Sequence, residues 1–177
     1  MSASSSSTAG RYPALARAFH WLSVVFLVLA WVAVEFEDTL GKSSAMLLHK
    51  SLGLSLFFLV AARLIYRATY KAPPLTMPMS ELKKKGAHAV HALLYLLLLA
   101  QPLTGILMTW YGGRDLPFFG LFSIASPVAK NPELSKWFYE LHHDIVFPLL
   151  VALSVLHIGF ALYHHYVKKD GLIDRMR

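Results

Sequence analysis

Nine histidines stand in a chain of 177 residues that contains no cysteine. Thiolate zinc sites, iron–sulfur clusters, covalently attached c-type haem and disulfides are thereby excluded, and imidazole is left as the strongest ligand. His143, His157 and His164 follow one another at steps of fourteen and seven residues. On an α-helix these steps keep nearly one face while advancing about 21 Å and then about 10 Å. His165 points about 100° away from that stripe. His49 matches the depth of His143, and His20 lies at a depth within reach of His157, His164, His88 or His91. Two histidine pairs stacked across a bundle are what two bis-histidine haems require, each iron taking one axial nitrogen from each of two helices. Zinc and copper ask instead for three or four clustered ligands. A proton relay asks for a carboxylate at mid-depth, whereas Glu35, Glu37, Asp38, Glu140 and Asp144 all fall at one edge. A haem-free, histidine-lined transporter of metal or protons is the reading from another class. A Soret band in the purified protein excludes it.

The elements that must carry these histidines are membrane spans. The chain is 56% hydrophobic and only 15% charged, with a mean hydropathy of +0.49, too apolar for an ordinary soluble domain. Four apolar runs, at 18–36, 46–66, 88–110 and 141–166, approach the roughly 20 residues a spanning helix needs. The first carries Trp21 and Trp31 near its ends, as interfacial aromatics do. No small-x-small cleavage site follows it, so it reads as a retained span that keeps His20 rather than as a signal peptide. Twelve of the seventeen basic residues flank the side holding both termini and the 67–87 loop. The positive-inside rule places that side in the cytoplasm. The predicted fold is all-α, a transmembrane four-helix bundle over 13–177, preceded by a disordered polar tail at 1–12. The proline-rich stretch "KAPPLTMPMSELKKK" is predicted extended. The outer loop 111–136, with Phe118, Phe119 and Phe122, is predicted to lie at the interface. Five basic and seven acidic residues share that outer side, a net charge of −2.

Several fragments recur together: "FHW" at 19–21, "LHKSLG" at 48–53 with "RLIYR" at 63–67, "AHAVHALLY" at 87–95 with "QPLTG" at 101–105, and "LHIGFALYHHYVKKDGLIDRM" at 156–176. In order and spacing they resemble the bacterial cytochrome b561 family, from about Arg11 to the C-terminus. The resemblance implies a four-helix, di-haem b protein of the inner membrane. Carried over, it makes His20 and His157 the ligands of an inner haem and His49 and His143 those of an outer one. His142 stands beside His143, and the fourteen-residue step to His157 favours His143. The family's best-understood activity implies that an electron passes from periplasmic superoxide through both haems to ubiquinone. A protein redox partner or dehydrogenase in place of superoxide is the alternative donor. With both irons six-coordinate, electrons enter and leave by the porphyrin edges. His164 is then a candidate for the quinone site, because imidazole titrates near neutral pH. Lys168 and Lys169 would keep that site proton-rich. Arg17 and Arg63 are candidate propionate partners, His88 and His91 are expected to pack, and His165 to sit at the interface.

Overall fold

The computed structural model describes residues 10–73 and 80–177. Among them are helices α1 (Ala14–Glu35), α2 (Glu37–Leu40), α3 (Lys42–Ala68), α4 (Glu81–Tyr111), α5 (Pro132–Glu140) and α6 (Phe147–Tyr163). A π-helical turn, Leu141–Val146, joins α5 to α6, and a second, His164–Lys168, follows α6. Pro132–Lys168 is therefore one continuous helical rod of 37 residues. It makes the fourth membrane-length helix beside α1, α3 and α4.

The four expected spans are all present, and each helix is longer than its apolar window. Hydropathy marks only the part of a helix that needs lipid, whereas the hydrogen-bonded ladder continues until a breaker stops it. α1 begins directly after Pro13. α4 begins after Ser80 and passes through Glu81 and Lys83–Lys85, residues predicted extended. Strong helix formers with an acid in the first turn override their proline-rich approach, whose residues 74–79 lie outside those described. α5 likewise takes 132–136 from the predicted outer loop. Asn131 caps it by accepting the Leu134 N–H at 3.1 Å, with Pro132 in the first turn.

The rest of that loop holds the one sheet among the described residues, a departure from the all-helical expectation. Strands β1 (Leu116–Phe118) and β2 (Phe122–Ile124) form an antiparallel hairpin with Phe118 opposite Phe122. Its turn needs two left-handed residues, Phe119 at φ 48° and Gly120 at φ 73°. The Phe119 N–H donates to Ser51 Oγ at 2.7 Å. Leu116 is buried with Leu54 and Ile106, which ties the hairpin onto α3 and α4.

Packing runs α1 on α3, α3 on α4, and α4 on both α5 and α6. The buried face of α1 is Ala16, Ser23, Ala30 and Ala33, and Ala45 and Ser51 are buried on α3. Lipid gives no hydrophobic drive between spans, so small residues that let backbones close up supply the attraction. The two ends of this chain of neighbours, α1 and α6, meet across His20 and His157. Of the tail predicted at 1–12, residues 1–9 lie outside the described residues. Tyr12 is tied down by its N–H donating to the Arg175 carbonyl at 3.0 Å.

Candidate functional site

Two histidine pairs stand between helices, one in each half of the bundle. In the half remote from both termini, labelled outer, His49 of α3 faces His142 of the π-helical turn, ring centroids 6.1 Å apart. In the inner half, His20 of α1 faces His157 of α6 at 6.4 Å. Two imidazoles bound trans to one metal at about 2 Å, each adding about 1 Å from nitrogen to ring centre, hold their centroids about 6 Å apart. Both pairs fit that span.

The ring facing His49 is that of His142 and not of the expected His143. His143 is exposed; its Nδ1 bonds Asp144 at 2.7 Å and its ring stacks on Tyr139 at 5.5 Å. His142 takes the inward place because Leu141–Val146 is π-helical. A π turn absorbs one more residue than an α turn, so fifteen residues from His142 to His157 keep the phase that fourteen keep in a regular helix.

Both outer rings are held in the tautomer a metal ligand needs. His49 Nδ1–H donates to the Ala30 carbonyl at 2.8 Å, and His142 Nδ1–H donates to the Gln101 carbonyl at 2.8 Å. A carbonyl only accepts, so each Nε2 keeps its lone pair. The Gln101 amide donates to that lone pair of His142 at 3.1 Å, while Gln101 Oε1 is buried without a partner among the described residues. A ligand on Nε2 displaces the amide and frees the side chain to turn. Gly105 presses against the same ring, a Cβ there falling 3.1 Å from His142 Cε1. That contact explains the glycine of "QPLTG". Gly53, one turn from His49, has nothing within 4 Å of a would-be Cβ, so a flat group has room there.

The inner pair has a different proton arrangement. Arg63 Nη2 donates to His20 Nδ1 at 3.0 Å, and a guanidinium cannot accept. The hydrogen of His20 therefore sits on Nε2. For His20 to hold a haem through Nε2, that hydrogen would have to sit on Nδ1 and Arg63 would have to turn away. Arg63 also lies over the Tyr95 ring at 5.0 Å, and once released it is placed for a carboxylate. His91 approaches His157 at 5.3 Å, closer than trans ligands stand, and so serves as a neighbour. His88 is exposed. Among the described residues no group of three or more His, Cys, Asp or Glu is arranged around one ion. Paired imidazoles, an open flat space and a cation for a carboxylate together fit haem.

At the inner end, His164 bonds Asp170 through Nδ1, in a corner formed by the second π-helical turn and a reversal at Lys169, φ 53°. Burial pushes the Asp170 carboxyl up, but hydrogen bonds from His164 and the Leu172 amide outweigh it and hold it below the usual carboxylate range. His165 packs edge-on against Tyr166. Lys168 lies over Tyr163 at 5.8 Å. Sequence reasoning passed over Asp170, whose place after "HHYVKK" reads as a surface charge. Arg17 bonds the Arg177 carbonyl, which turns it toward the C-terminus.

The model of the family Prokaryotic cytochrome b561 matches residues 11–177. The chain is 31% identical to Cytochrome b561 homolog 1 of Escherichia coli (strain K12), over 89% of this chain and 91% of that protein. It is 31% identical to Cytochrome b561 homolog 2 of the same organism, over 96% of this chain and 92% of that one. It is 28% identical to a Yersinia pestis protein named Probable superoxide oxidase CybB, over 94% and 95%. With four membrane-length helices and its histidines in facing pairs, the chain belongs to the prokaryotic cytochrome b561 family, multi-pass membrane proteins of electron transfer that carry haem b.

Proposed function

We propose that the protein is a superoxide:ubiquinone oxidoreductase of the bacterial inner membrane, with both termini cytoplasmic and two b-type haems held between its helices. The observation that carries the reading is the stacking of His49–His142 above His20–His157, two bis-histidine pairs about 20 Å apart along the bundle. Bound there, haem supplies reversible one-electron chemistry without an open coordination site. The chain's own residues do the rest. Ala30 and Gln101 fix the outer ring tautomers, and Arg63 offers a cation near the inner pair.

Superoxide as donor is supported by the name of the Yersinia relative and by the local arrangement of charge. Lys50, next to His49, lies within electrostatic range of Arg114, and Lys130 packs against Gly113. Neither Lys50, Arg114 nor Lys130 has an ion-pair partner among the described residues, whereas Glu140 pairs with Lys136 and Asp144 bonds His143 Nδ1. A net-acidic outer side thus still presents cations beside the outer pair, as attraction of a small anion requires. At the inner end His164 faces a quinone carbonyl and gives it a proton.

A protein donor is the second reading, favoured by Leu121 and Phe122, which stand exposed on the outer hairpin. Mixing oxidised protein with a superoxide generator, while following the haem α-band, separates the two. Rapid reduction that superoxide dismutase abolishes is the expected result. No reduction, in protein that dithionite does reduce, overturns superoxide as donor.

A further inference from the structure

The last residues of the chain form a strap across the inner end of the bundle. Lys169 and Gly171 both take left-handed backbone angles, φ 53° and 74°, and turn the chain back under the helices. Tyr12 N–H and Trp21 Nε1–H donate to the carbonyls of Arg175 and Met176 at 3.0 and 2.9 Å. Arg175 donates to the carbonyls of Gly10 and Pro73. The N-terminus, the loop after α3 and the end of the fourth rod are thus joined by one segment.

That strap carries an acid to where a surface residue would not be. The Asp170 side chain is only 2% exposed and that of His164 is 19% exposed. One carboxylate oxygen accepts from the Leu172 N–H at 3.1 Å and the other meets His164 Nδ1. A sealed carboxylate with both oxygens used does not serve solubility. It fixes which way the imidazole faces, since Nδ1–H bound to Asp170 leaves Nε2 as the outward nitrogen.

Resting on the quinone role proposed for His164, we propose that Asp170 is the positioning residue of the quinone site, presented by the C-terminal strap and holding His164 with Nε2 toward the reacting carbonyl. Two superoxide anions, each oxidised to O2, release the two electrons that the quinone takes up. The Nε2–H bond of the doubly protonated His164 breaks as one quinone oxygen gains its O–H bond. Water at the inner surface supplies the second proton and later restores Nε2–H. Asp170 remains a carboxylate throughout, bound to Nδ1–H.

The test uses full-length, haem-loaded protein reduced beforehand with dithionite, so the identity of the natural donor does not enter. Re-oxidation by a short-chain ubiquinone is followed by stopped flow. Asp170→Asn is expected to keep the haem spectrum and to lower the maximal rate roughly tenfold to a hundredfold, with a smaller change in the quinone concentration at half-maximum. Asp170→Glu, which keeps the charge, recovers part of the loss. In a His164→Gln background, Asp170→Asn adds nothing further. The 15N resonances of the His164 ring, which report the hydrogen on Nδ1, shift in Asp170→Asn without quinone present. A rate within twofold of wild type, or an equal slowing in the His164→Gln background, overturns the positioning role while leaving His164 in place. An unchanged rate in His164→Gln alone overturns the quinone reading itself. If Asp170→Asn fails to assemble, Asp170→Glu and the ring resonances of the wild-type protein decide the matter: a bare Nδ1 there overturns the proposal.

Discussion

Adjacent histidines on one helix take opposite surroundings at the scale of a single residue, and the proposed ligand is the inward one. His142 is oriented by the Gln101 carbonyl and faces His49, whereas His143 faces solvent with Asp144. His142→Ala is expected to halve the haem-to-protein ratio, read by pyridine haemochrome assay. His143→Ala leaves that ratio unchanged and shifts stability by less than about 1 kcal/mol, because its hydrogen bond to Asp144 is exposed. The reverse outcome restores His143 as the ligand. The ring tautomers are a residue-scale property of the same kind: nothing in "LHKSLG" or "LHHDIV" states which nitrogen carries hydrogen. Carbonyls from α1 and α4 decide it.

Helix backbones act as instruments at the scale of the element. The π-helical turn rotates the stripe so that His142 falls in phase with His157, and the extra residue is the means. α4 brings Gly105 against the same ring, with a Cβ position 3.1 Å from Cε1 and 3.4 Å from Nδ1. Gly105→Ala gains about 1 kcal/mol of helix propensity and loses about 1–3 kcal/mol to crowding. The displaced His142 ring is expected to weaken retention of the outer haem on dilution. Gly86, with nothing within 4 Å of a would-be Cβ, is the comparison: Gly86→Ala takes the propensity gain and keeps both haems. Equal retention in the two variants rules out Gly105 as the support of His142.

Charge and closure belong to the whole molecule. The outer side carries more acids than bases, yet Lys136 pairs with Glu140, Asp144 bonds His143 Nδ1, and Asp115 accepts the Ser126 N–H at 3.2 Å. Lys50 and Arg114 are left beside the outer pair. Steering of an anion by such a patch falls with ionic strength as the Debye length shortens. The superoxide-driven reduction rate is expected to drop several-fold between low and high salt. Lys50→Gln with Arg114→Gln should lower the low-salt rate and flatten that dependence. A salt dependence unchanged in the double variant removes these two cations from the entry route.

The spans, their order and the presence of histidines at two depths were legible in the sequence, because lipid demands about twenty apolar residues per helix and leaves imidazole conspicuous among them. The family was legible too, in fragments such as "FHW" and "YHHYVKKDG" kept in order. Helix ends were not, since Glu81–Lys85 belong to α4 despite their charge. Neither was the hairpin at 116–124, which depends on Ser51 and Leu54 of a distant helix. The identity of the inward histidine required the π turn, a choice that regular 3.6-residue counting cannot make. Asp170 gained its meaning only when Lys169 reversed the chain and carried a nominal surface acid into contact with His164. Periodicity reports what each helix must bury, whereas phase slips and returning segments are settled by partners remote in sequence, and only tertiary packing brings those partners together.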